Sequence, residues 1–127
     1  TIMKEQLISF QTALLAKKNH LEIESYEFYT HRGDLCKDHN FRNQSDYDGS
    51  YGAYTQSLLQ KWFREKHNIC VEVYSTAYGF IWCLVKADSG TDIKYSDDSG
   101  PNAGGAWDSY EEALEKGLQE AFKYINK

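Results

Sequence analysis

Apolar positions along the chain follow two rhythms, and the change from one to the other marks out its elements. From Thr55 to Asn68, the residues Leu58, Leu59, Trp62 and Phe63 recur at one- and four-residue steps, which gathers them into one stripe of an α-helix. Lys61, Arg64, Glu65 and Lys66 fall around the rest of that surface. Thr55 is placed to cap the first turn and Asn68 to close the last. The rhythm then shortens to two. Ile69, Val71 and Val73 alternate with Cys70, Glu72 and Tyr74, as on a strand. A turn at Tyr78-Gly79 leads into residues 80–85, almost wholly apolar, which predicts a central strand covered on both faces. After a second turn at Asp88-Ser89-Gly90, residues 91–95 have the polar character of an edge strand, where Asp92 and Lys94 discourage pairing with other chains.

Residues 96–106 read as a loop, because Gly100-Pro101-Asn102 and Gly104-Gly105 disfavour any regular element. Ser109 and Glu112 form a capping box that opens the last helix, with Glu111 and Glu112 at the positive end of its dipole. Leu114, Leu118, Ala121, Phe122 and Ile125 make the buried stripe of that helix. Gly117 within it costs roughly 1 kcal/mol of helix propensity, which implies a close crossing with the sheet or another helix.

The first half is less regular. A helix is expected over residues 9–18, capped by Ser9, with Phe10, Ala13 and Leu14 on its buried face and a left-handed Asn19 at its end. Residues 21–30 are rich in strand formers, and Tyr26 and Phe28 flank Glu27 as on a half-buried strand. His31-Arg32-Gly33-Asp34 reads as a turn, with a short returning strand at residues 35–37. Residues 40–54, rich in Asn, Asp, Ser, Gly and Tyr, read as a loop. The expected fold class is α+β: an antiparallel sheet of three or more strands with helices packed on one face, around a helix-strand-strand-strand-helix core. That core occupies residues 55–127, and residues 1–50 add a helix, a short hairpin and a loop. The 127 residues fit a single domain that can bury a core without disulfides or metals, and no repeat divides them.

Composition narrows the class of partner. The net charge of −5 lies entirely in residues 69–127, which carry five Lys+Arg against ten Asp+Glu, whereas residues 1–68 balance nine against nine. An acidic second half repels phosphate, which argues against general nucleic-acid or anionic-membrane binding. Aromatics reach 15 %, led by ten tyrosines, whose apolar ring and polar tip suit strands, half-buried faces and interfaces. Cys36, Cys70 and Cys83 are odd in number and widely spaced, so they form no disulfide framework, and a reducing compartment fits them. Residues 1–10 lack a signal-peptide pattern, and no apolar run approaches the length of a membrane span. A cytoplasmic protein with no membrane partner is expected.

The chemical motifs are fragmentary. Cys36 and His39 have a Cys-x-x-His spacing, with His31 nearby, but a tetrahedral zinc site needs a second pair that His20 or His67 could supply only by folding back. Asp46-Tyr47-Asp48-Gly49 has part of a calcium-loop pattern, yet the register puts Gln44 first and Thr55 last, both poor ligands for a hard cation. Asp97-Asp98 reads as a solvated loop tip. Cys36 with His39 lacks an orienting third group, no Gly-x-Ser-x-Gly elbow or Walker loop occurs, and Asn102-Ala103-Gly104-Gly105 does not join a strand to a helix as a phosphate cradle does. No metal, cofactor or catalytic residue is assigned, and the chain reads as non-catalytic rather than as an enzyme. Lys61, Arg64, Lys66 and His67, beside Trp62, form a candidate binding patch for an anion or nucleic acid, set against the plainer reading of a solvated helix face interleaved with Glu65. Arg32-Gly33-Asp34 matches an integrin-binding tripeptide but reads as a turn in a cytoplasmic protein.

Three stretches carry a resemblance. Residues 8–17 (ISFQTALLAK), 55–69 (TQSLLQKWFREKHNI) and 110–121 (YEEALEKGLQEA) resemble a family of small uncharacterised proteins from gut Bacteroides-type bacteria and their phages. That resemblance implies a phage or mobile-element setting and brings no activity, cofactor or site residue with it. The order of elements is also similar to the double-stranded-RNA-binding fold, but Glu111, Glu112 and Glu115 stand where such domains place basic residues. The sequence therefore favours a non-catalytic protein-binding, adaptor or inhibitor role of a phage or mobile element. The alternative is nucleic-acid binding through the second helix, and the third reading is a small enzyme using the loop at residues 40–54 or 96–106. A homo-oligomer would follow if an aromatic sheet face needed a second copy to hide it.

Overall fold

The structure, a computed structural model, describes residues 3–21, 23, 25, 27–37, 50–96 and 98–126. Among the described residues it is an α+β fold of three helices and two three-stranded antiparallel sheets, in two compact units, Thr1–Thr55 and Gln56–Lys127.

In the first unit, helix α1 (Phe10–Lys18) starts where Ser9 accepts a hydrogen bond from the Thr12 amide. Its buried residues are Thr12, Ala13 and Ala16, while Leu14 is exposed. Three-residue spacing was right about Ala13 but picked the wrong neighbour for it. The helix turns its Thr and Ala face inward and leaves Leu14 out. Asn19 ends the helix at φ −95, and the left-handed step falls one residue later, at His20 (φ 61). The sheet has the order β2-β1-β3, from β1 (Glu27–Tyr29), β2 (Leu35–Lys37) and β3 (Tyr51–Gly52). The last of these lies inside the expected loop: Tyr51 and Gly52 pair with Tyr29 and Phe28. Their short polar and glycine-rich setting hid a strand held by long-range pairing rather than by propensity. The Tyr29 hydroxyl donates to the Ile8 carbonyl at 2.6 Å, and the buried Tyr54 donates to the carbonyls of Leu21 and Ile23. Tyr26, His39 and the stretch 40–49, with its Asp46-Tyr47-Asp48-Gly49 motif, lie outside the described residues, as does Asp97.

The second unit follows the expected order. Helix α2 (Gln56–His67) is followed by β4 (Ile69–Thr76), β5 (Gly79–Lys86), β6 (Asp92–Tyr95) and helix α3 (Tyr110–Ile125). Asn68 closes α2 in the left-handed region, at φ 57. The sheet order is β4-β5-β6, so the apolar β5 is central as its composition requires. Of the expected α2 stripe, Leu59 and Phe63 are buried with Gln56, while Leu58 and Trp62 are half-buried. Phe63 packs edge-on against Phe122 of α3, with ring centroids 4.8 Å apart. Gln56 is buried too, because its amide donates to the Glu111 carbonyl (3.0 Å) and the Glu115 carboxylate (2.9 Å).

Helix α3 packs on β4 and β5. Gly117 is the reason it can approach closely: a Cβ there would stand 2.9 Å from Val71 Cγ1 and 3.1 Å from Trp82 Cβ. The capping box is only half formed. Ser109 Oγ accepts from the Glu112 amide at 3.1 Å, but the Glu112 carboxylate accepts from the serine hydroxyl rather than from a backbone N–H. The expected loop at residues 96–106 contains one 3-10 turn (Ala103–Gly105) and leads to Trp107, which exchanges two 2.8 Å hydrogen bonds with Phe80. Gly79 beside it has φ 135, and a Cβ would fall 2.2 Å from the Trp107 carbonyl, so the hairpin needs glycine there. Among the described residues no helix is long and apolar enough to cross a membrane.

Candidate functional site

Strand register decides which side chains reach solvent together. Residues opposite one another in an antiparallel pair project from the same face. Val71 pairs with Leu84, and Val73 with Trp82; the contacts at Gly117 place Val71 and Trp82 under α3. The other face is therefore that of Cys70, Glu72 and Tyr74 on β4 and of Ile81, Cys83 and Val85 on β5. On β6, Tyr95 is opposite Cys83 and Asp92 opposite Val85, across a bulge, so both join this second face.

Its two tyrosines are open, Tyr74 at 45 % and Tyr95 at 58 % exposure. Each hydroxyl is tied to a carboxylate of its own strand: Tyr74 donates to Glu72 Oε2 at 3.0 Å, and Tyr95 to Asp92 Oδ2 at 2.7 Å. Hydrogen bonds with Cys83 and Glu72 push the Tyr74 phenol up from its ordinary range, and the bond to Asp92 does the same for Tyr95. Both phenols stay neutral. Cys83 lies between them at 1 % exposure, and burial pushes its thiol up, so it is a packed apolar group rather than a nucleophile. Cys36 and Cys70 are half-buried, and all three thiols are free. The result is a surface of two rings and two carboxylates around the buried Cys83 and Val85, with Ile81 half-buried beside them. Sequence alternation pointed to Tyr74 and Glu72 as neighbours in space. Tyr95 and Asp92 were legible only as an edge strand, because the bulge that aims them carries no local signal.

The predicted patch on α2 is gathered only in part. At about 100° per residue, Lys61, Arg64 and His67 fall within about 120° of arc, whereas Lys66 lies roughly 160° around the helix from Arg64. Lys61 is 3.9 Å from Glu65, an exposed pair one helical turn apart. The His67 ring stacks edge-on to Trp62 at 4.7 Å, and burial holds its pKa below the usual histidine value, which favours the uncharged form. Arg64 instead borders a hollow of about 320 Å³ beside the outer edge of β4, with Gln60, Val71, Glu72, Val73 and Tyr110. Lys66 thus stands apart from Lys61, Arg64 and His67.

Lys94, expected to guard an edge, has a different partner. Its ammonium reaches the buried Glu120 of α3 at 2.6 Å, and Lys123 (2.9 Å) and Lys116 (3.4 Å) meet the same carboxylate. Burial alone would raise this carboxyl, but the hydrogen bonds and charges of Lys123 and Lys94 outweigh it and bring it down to about 2. Among the described residues no three His, Cys, Asp or Glu side chains gather as a metal ion would require. Comparison with known proteins gives no match among protein-family models, curated proteins or solved structures.

Proposed function

We propose that the protein is a non-catalytic binding protein whose open tyrosine-carboxylate sheet face receives a basic partner protein, as an adaptor or inhibitor of a phage or mobile element would in a bacterial cytoplasm. The observation that carries this reading is the pairing of Tyr74 with Glu72 and of Tyr95 with Asp92 on one open face. Tyrosine rings held by hydrogen bonds lose little rotamer freedom on binding and present large contact area. A carboxylate has about four lone-pair sites, so one that accepts from a phenol can also accept from an incoming Lys or Arg. An arginine set over a tyrosine ring gains a cation–π contact as well. The charge of −5 over residues 69–127 attracts such a partner at long range. Nucleic acid fits less well, since this face would repel phosphate and Lys66 stands apart from Lys61 and Arg64 on α2.

Capture from bacterial lysate with two baits tests the reading: the wild-type chain and a Tyr74→Ser, Tyr95→Ser variant of equal charge. A basic protein retained by the first, lost with the second and released by salt is the expected result. Equal capture by both baits would reject the face as the binding site.

A further inference from the structure

The two edges of the second sheet are unlike. On one side β6 is four residues long, bulged and anchored through Lys94 to Glu120, the devices by which edge strands avoid pairing. On the other, β4 runs eight residues in unbroken register with β5 and contains neither proline nor lysine. Its outward backbone groups can be identified. Phe80 exchanges its hydrogen bonds with Trp107 on the β6 side of β5, so by alternation Ile81, Cys83 and Val85 bond toward β4. Their partners Tyr74, Glu72 and Cys70 turn inward, which leaves Val71, Val73 and Ser75 facing out. Consistent with this, the Gln60 side chain donates to the Val71 carbonyl at 3.0 Å. That bond closes the part of the edge nearest α2 and, among the described residues, leaves Val73 and Ser75 as a short open template.

We propose that this template takes a second copy of the chain, β4 against β4 in antiparallel register with Tyr74 opposite Tyr74, joining two three-stranded sheets into one of six strands. This register pairs Val73 of each copy with Ser75 of the other, and each such pair exchanges two N–H···O bonds. It uses the open groups and leaves the Gln60 bond to Val71 in place. Glu72 then stands opposite Thr76, so no like charges meet across the two-fold axis. Tyr74 meets its counterpart at the close, non-hydrogen-bonded position of the ladder, where aromatic pairs contribute most directly. The hollow beside the edge offers Arg64 and Glu72, opposite charges that a self-complementary contact needs on the same surface. A foreign strand could use the same hydrogen bonds, but the symmetric register centres the open segment on Tyr74, opposite its own counterpart. The tyrosine faces of the two copies become one continuous surface.

Sedimentation of the full chain from micromolar to millimolar concentration tests this. Reversible monomer–dimer behaviour is expected, with the amide exchange of Val73 and Ser75 slowing as the dimer fills. Val73→Pro removes only an outward N–H, so the β4–β5 ladder and the far-UV dichroism remain while the dimer is lost. Tyr74→Lys sets two ammonium groups opposite each other and weakens the dimer without touching any backbone bond, which keeps the test valid should the proline variant fold poorly. A monomer at every concentration, or a dimer that survives both substitutions, overturns the proposal. Because Val73 is on the α3 side of the sheet, its proline variant keeps the tyrosine face, so loss of self-association and loss of partner capture are read separately.

Discussion

Replacing Glu120 by Gln should flatten the acid limb of the stability curve. The folded carboxyl titrates at about 2 against 4.5 for a free one, because the bonds from Lys123 and Lys94 overcome the cost of its burial. At about 1.36 kcal/mol for each pH unit, the difference amounts to roughly 3 kcal/mol at most. Lys94 and Lys123 are 44 % and 64 % exposed, so solvent screening lowers this to about 1–2 kcal/mol. The folded pKa is depressed, so the contribution is complete above the unfolded value and is lost as pH falls through the folded one. The window is therefore pH 4.5 down to about 2. Urea midpoints measured at intervals across that window for wild type and Glu120→Gln should give converging curves, the variant being less stable at pH 5 and nearly equal near pH 2. Parallel curves would refute the reasoning, because they would mean that Glu120 binds its proton equally readily in the folded and unfolded chain.

Three further outcomes follow from packing and charge. Gly117→Ala gains about 1 kcal/mol of helix propensity, but its methyl meets Val71 and Trp82 at distances that force α3 outward, so a net loss of about 1–2 kcal/mol is expected in urea unfolding. Gln56→Ala removes the buried amide that joins the Glu111 carbonyl and the Glu115 carboxylate; a loss of about 1–3 kcal/mol is expected, and Gln56→Glu, which replaces the donor by an acid, should be worse. His67 has its pKa held below 6.5 by burial against Trp62, so as pH falls through 6.5 the unfolded chain takes up the proton first and stability drops. His67→Asn should remove that part of the drop between pH 7.5 and 5.5, measured by thermal melts.

Local rules made the second half of the chain legible. Helix α2, strands β4 to β6 and helix α3 each state their period and ends, from Asn68 at one helix terminus to Ser109 at the next. The first half was harder because its elements rest on distant partners. Strand β3 is two residues long and exists through pairing with β1, and α1 buries Thr12 and Ala16 rather than its leucines. The site divides in the same way. Alternation along β4 placed Glu72 and Tyr74 on one face, but the contribution of β6 depends on a bulge and on a register set across the sheet. On α2 the four residues of the basic patch are not alike: helical geometry sets Lys66 away from the other three, and burial biases His67 toward its uncharged form.

Cys83 gives the tyrosine face a built-in clock. Its thiol lies at 1 % exposure between the rings of Tyr74 and Tyr95, whereas Cys36 and Cys70 are half-buried. A thiol reagent thus meets two accessible sulfurs early and this third one only when the rings lift away. The slow phase of labelling counts those openings without any engineered probe. A ligand seated over the rings lengthens that phase, while one bound elsewhere on the molecule leaves its pace unchanged.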